Sequence, residues 1–141
     1  MLSDPRKTVM LPVECQVNDE SDLTTAVLTA GRWMEEQGAT QAMKSKVMTI
    51  VSELGRNVLK YAVRGRVCCR VVDVHARHGV EIFVSDEGPG IEDIPSALED
   101  SFSTGGTLGL GLPGVRRMVD DFDLQSTPGE GTRVTARIWL D

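Results

Sequence analysis

The sequence predicts an α/β protein, and three observations carry that prediction. Two amphipathic helical patterns follow one another between residues 19 and 62. Two strand-like runs then meet across a glycine within 66–85, and a Gly-rich stretch leads straight into a helical pattern ahead of a closing strand. At 141 residues, with 40% hydrophobic and 26% charged side chains, the chain reads as one globular domain over 1–141.

Taken in order, residues 1–7 read as a flexible lead, and 8–17 have strand-like content that Pro12 confines to a sheet edge. Asn18 to Asp22 offer several N-caps. Leu23, Val27, Ala30 and Met34 then recur at helical spacing until Gly38 stops the run. A second helix is expected from about Thr40 to Ala62, with Val47, Ile50, Val51, Leu54, Val58 and Tyr61 as one apolar stripe. Residues 66–75 and 80–85 read as an antiparallel pair turning at His78-Gly79. Asp93 to Ser101 fit a short helix, and Val115, Met118, Val119 and Phe122 mark a helix after the Gly-rich stretch. The turn Thr127-Pro128-Gly129-Glu130-Gly131 opens the last strand, 132–140.

Charge and cysteine usage exclude several classes. A net charge of −6 argues against a nucleic-acid or anionic-membrane binder. The first residues lack an apolar signal core and no apolar run approaches membrane-spanning length, so a cytoplasmic protein is expected. Cys15, Cys68 and Cys69 form neither a disulfide framework nor a zinc pattern and read as free thiols, the adjacent pair pointing to opposite sheet faces. His75 and His78 read as solvated.

The chemistry concentrates in three places. Ser103 to Gly114 is rich in glycine and precedes a helix, with Pro113 suited to the first helical turn; such a loop brings backbone N–H groups and a positive dipole end to an anion. Glu53 and Asn57 lie one turn apart on a flank of the second helix's apolar stripe, with Lys60 beyond. Asp86 sits just past a strand and is followed by Gly88 and Gly90, which places a carboxylate acceptor beside a tight, side-chain-free turn. The loop lacks Gly-x-x-x-x-Gly-Lys-Ser/Thr and the chain has no His-Arg-Asp run, so it fits neither a P-loop enzyme nor a eukaryotic-type kinase.

In this order, Glu53-x-x-x-Asn57, Asp86-x-Gly-x-Gly90, the Gly-rich loop and Gly129-Glu130-Gly131-Thr132 resemble the GHKL ATPases with their Bergerat nucleotide-binding fold. Ser52 to Asn57, Asp86 to Ile94, Phe102-Ser103-Thr104 and Gly109 to Met118 are similar to the RsbT-type switch kinases within that group. Gly106-Thr107 and Leu110 depart from the usual Ser-Gly and Ala of those kinases.

The resemblance implies a two-layer α/β sandwich with helices on one face of a mixed, mostly antiparallel sheet. It also implies an ATP- and Mg²⁺-dependent serine/threonine kinase of bacterial partner-switching pathways, acting on a STAS-domain protein, with a phosphatase or sigma factor as second partner. Glu53 would be the catalytic base and Asn57 the Mg²⁺ ligand. Asp86 would read the adenine amino group, Gly88 and Gly90 would shape its pocket and Thr132 would hold a bridging water or hydroxyl contact beside that carboxylate, with Gly105, Gly106, Gly109, Leu110 and Gly111 around the phosphates and Lys60 nearby. Arg56 is a weaker candidate. The alternatives are an anti-sigma or phosphatase-activating binder that holds nucleotide as a structural ligand, and a plain ATPase. A pure binder needs Asp86 and Asn57 but no base.

Overall fold

A computed structural model describes residues 11–62, 64–89 and 111–140 of the chain. Two long helices follow one another along the sequence, each with its start capped by a side chain. Asp19 accepts the Asp22 N–H at 2.7 Å and opens α1 (Glu20–Glu36), and Thr40 accepts the Met43 N–H at 3.1 Å and opens α2 (Gln41–Tyr61). Between them Gly38 takes a φ of 76°, a left-handed stop that lets the chain reverse. The Glu35–Lys44 ion pair spans the reversal.

Five strands build the sheet: β1 (Val13–Val17), β2 (Gly65–Val74), β3 (Arg77–Asp86), β4 (Asp121–Thr127) and β5 (Gly131–Trp139). Their order is β1-β2-β3-β5-β4, and all four pairings among the described residues are antiparallel. The expected edge strand is thus β1, starting just after Pro12. Period-two alternation divides the sheet: Val67, Cys69, Val80, Ile82, Val84, Val134, Ala136 and Ile138 are buried. They form one core with Val47, Ile50, Val51, Leu54 and Val58 of α2 and Leu23, Ala26, Ala30 and Met34 of α1. This is the two-layer arrangement, helices on one sheet face. Burial pushes the Cys69 thiol up to about 12, so this cysteine is an inert packing residue, while Cys68 beside it turns to the other face and is only partly buried. A short third helix, α3 (Gly111–Met118), buries Leu112 and Val115 beside α2.

Several expected details fall differently. The β2–β3 turn is at His75-Ala76, both at positive φ (50° and 66°), while Gly79 lies inside β3. Gly79 is required there for space, since a Cβ would come within 2.6 Å of the Ile138 carbonyl and 2.7 Å of the Trp139 ring. His78 does not simply face water but contacts Asp73 at 2.9 Å. Tyr61 ends α2 half exposed, outside the buried stripe, with the Lys60 ammonium 5.1 Å from its ring centre. Phe122 belongs to β4, because α3 ends at Met118. Asp120 and Asp121 accept the main-chain and indole N–H groups of Trp139 at 2.8 and 3.0 Å. The helix expected over 93–101 lies outside the described residues.

Candidate functional site: the strand end beneath the second helix

Asp86 is the last residue of β3 and shares the core-side register of Ile82 and Val84. One of its oxygens, Oδ1, accepts two main-chain N–H groups, from Gly88 at 2.9 Å and Thr132 at 3.2 Å. The other, Oδ2, has no partner among the described residues, so the carboxylate is held in place with one acceptor free.

The backbone around it is tied on both sides. Glu87 N–H donates to Arg64 at 3.2 Å, and Gly129 N–H to Pro89 at 2.7 Å. Gly88 is pressed against the end of α2, where a Cβ would lie 2.7 Å from that of Ala62. Gly131, at φ 111°, passes so close that a Cβ would collide with the Asp86 carbonyl oxygen, and this approach is what brings the Thr132 N–H to the carboxylate.

A second group lies earlier on α2. The Glu53 carboxylate is 11% exposed; its Oε2 accepts the Gly111 N–H at 3.3 Å, and its Oε1 is 3.5 Å from the Arg56 guanidinium. Gly111 opens α3, so Glu53 takes up one of the unpaired N–H groups of that helix start. Asn57 is half buried one turn further along, with no hydrogen-bond partner among the described residues. Lys60 is exposed beyond it.

The candidate residues thus divide between two levels of α2: Asp86, Gly88 and Thr132 at its C-terminal end, Glu53 and Gly111 about two turns earlier. Gly90, Gly105, Gly106, Gly109 and Leu110 lie outside the described residues. A cavity of about 690 Å³ is lined by Asp86, Ser126 and Thr132 together with Gln16, Arg66 and Arg133 among others. Neither Glu53 nor Asn57 lines it, so it is not the space between the two groups. Among the described residues no three His, Cys, Asp or Glu side chains are placed to hold a metal by themselves, and no helix is long and apolar enough to cross a membrane.

Sequence reasoning missed two residues. Gly131 stands in the sequence as part of a turn and of the Gly129-Glu130-Gly131-Thr132 motif but not as a site residue, although its place just before Thr132 is the available signal. Ser126 has no assignment in the sequence reading; its pairing with Thr132 follows from a hairpin closed at 127–131, and its Oγ lies 2.9 Å from Thr132 Oγ1 and 3.1 Å from the Gly131 carbonyl.

The family of histidine kinase-, DNA gyrase B- and HSP90-like ATPases matches residues 43–141. The serine/threonine-protein kinase RsbT of Bacillus subtilis is 39% identical over 125 residues, spanning 89% of this chain and 94% of its own. An anti-sigma F factor of Caldanaerobacter subterraneus is 31% identical over 94 residues, 62% of this chain and 64% of its own. In fold, the RsbU and RsbW domains of Rv1364c from Mycobacterium tuberculosis superpose with a TM-score of 0.64 at 16% identity, over 91% of this chain and 32% of theirs. Matched along most of its length by the one and aligned along nearly all of the other, the chain belongs to the histidine kinase-, DNA gyrase B- and HSP90-like ATPase family, on its serine/threonine-protein kinase branch.

Proposed function

We propose that the chain transfers the γ-phosphate of Mg-ATP to a Ser or Thr of a STAS-domain protein in bacterial sigma-factor regulation, as a cytoplasmic enzyme. The observation that carries this is Asp86, anchored by two N–H groups through Oδ1 while Oδ2 has no partner among the described residues. A fixed, acceptor-only oxygen there suits the amino group of adenine.

The donor set also suits the cofactor. Gly88 abuts Tyr61 and Ala62, eight residues along α2 from Glu53, which at 1.5 Å per residue is about 12 Å. A nucleotide lying along the helix would have its base at Asp86 and its phosphates toward Asn57 and the start of α3. Asn57 supplies a neutral oxygen ligand of the kind Mg²⁺ takes alongside phosphate oxygens. Bound Mg-ATP supplies the phosphoryl group and neutralises its charge. Glu53, oriented by the Gly111 N–H, accepts the proton of the incoming hydroxyl as its oxygen bonds to phosphorus and ADP leaves.

The likeness to an anti-sigma F factor favours one other reading, a regulatory binder that holds nucleotide without using a base. One pair of variants separates them. Glu53→Gln is expected to bind ATP like the parent and to transfer phosphate about 10²–10⁴-fold more slowly. Asp86→Asn is expected to lose ATP binding, because its amide can set a donor against the adenine amino group. Calorimetry and a radiolabel transfer assay measure both. Unchanged transfer by Glu53→Gln sinks the base assignment, and unchanged ATP affinity of Asp86→Asn sinks the pocket.

A further inference from the structure

Resting on the nucleotide site proposed above, we infer that Ser126 is a positioning residue that sets base selectivity by fixing the direction of the Thr132 hydroxyl. The argument follows the protons. A carbonyl oxygen can only accept, so in the 3.1 Å contact with the Gly131 carbonyl the Ser126 hydroxyl is the donor. Its single proton is then committed. In the 2.9 Å contact between Ser126 Oγ and Thr132 Oγ1, the donor must therefore be Thr132.

This leaves Thr132 Oγ1 with lone pairs only for any third group. The same residue gives its main-chain N–H to Asp86 Oδ1, which keeps it against the carboxylate whose Oδ2 is unpaired. Two acceptors side by side are satisfied by a group that carries two N–H bonds, directly or through one water. The 6-amino group of adenine is such a group. The 6-carbonyl of hypoxanthine, on a ring that differs otherwise only in carrying a proton at N1, offers lone pairs against lone pairs at that position. Ser126 touches neither base; it acts by denying Thr132 the rotamer that would donate into the pocket.

Gly131 supports the relay geometrically. Its backbone passes Asp86 too closely for any side chain, so its carbonyl is held where Ser126 reaches it across the β4–β5 pair, Ser126 opposite Thr132.

The test compares Ser126→Thr with Ser126→Val, which have nearly the same shape and differ in the hydroxyl. Dissociation constants for ADP and IDP are measured by calorimetry for the parent and both variants, with a thermal melt confirming that each is folded. The threonine variant is expected to keep the parent's preference for ADP over IDP. The valine variant is expected to lower that ratio about fivefold, the scale of one hydrogen bond, because Thr132 becomes free to donate. A ratio unchanged in Ser126→Val, or a loss of affinity equal for both nucleotides, overturns the inference and reduces Ser126 to strand packing. If Asp86→Asn binds ADP like the parent, the failure lies instead with the nucleotide site itself.

Discussion

Glu81 shows how much a single residue's environment depends on distant parts of the chain. It lies on the sheet face opposite the helices, only 3% exposed, with Arg70 on one oxygen at 2.7 Å and Arg137 on the other at 2.8 Å. Burial alone would raise its carboxyl, but the two guanidiniums overcome that and hold it below the usual carboxylate range. With a lower value folded than unfolded, the stabilisation is present above the ordinary carboxylate range. It is lost as pH falls through the folded value. Glu81→Gln is therefore expected to cost about 1–2 kcal/mol at neutral pH, discounted because both arginines are part exposed. The difference from the parent should shrink toward pH 3 in urea titrations. A difference independent of pH would mean that packing, not charge, holds Glu81. The alternation of β3 makes its facing legible, but its burial is not: the two arginines are 11 and 56 residues away.

At the scale of elements, what was legible is what local chemistry dictates. Helix α2 is the clearest case: Thr40 caps it, Val47, Ile50, Val51, Leu54 and Val58 form its buried stripe, and Glu53 and Asn57 fall on its flank as their spacing requires. Leu54 is 1% exposed at the centre of that stripe. Leu54→Ala is expected to cost about 2–5 kcal/mol in chemical denaturation, as a cavity between helix and sheet. A loss under 1 kcal/mol would mean that the two layers collapse to fill it. What was not legible depends on tertiary contact. Gly79 looked like a turn residue, yet its lack of a side chain serves the approach of Trp139. Phe122 continues the helical period of α3, yet pairing with Ala136 draws it into β4. In the site, Asp86 was readable as a carboxylate at a strand end. Its clamp was not, because it needs the Thr132 N–H from 46 residues later.

For the whole molecule, the proposed reaction has a consequence for how long the product stays bound. The chain carries a net charge of −6, and transfer leaves a phosphate of roughly −1.5 to −2 on the partner. In the proposed arrangement that phosphate faces ADP and the carboxylate of Glu53, which is only 11% exposed. Like charges in a partly desolvated interface repel at short range where salt screens them poorly, so the phosphorylated partner should leave faster than the unmodified one. Lys60 and Arg116, both exposed, and Arg56, 3.5 Å from Glu53, are cations that could oppose this by recapturing the group. The expectation is that a complex with the STAS-domain substrate dissociates on addition of Mg-ATP, while a complex with its Ser→Ala version persists, as followed by size-exclusion chromatography. Glu53→Gln should retain the parent substrate in complex under the same conditions, since it binds nucleotide without transferring phosphate. If both complexes persist or both dissociate, phosphorylation is not what releases the partner, and nucleotide exchange alone would have to do so.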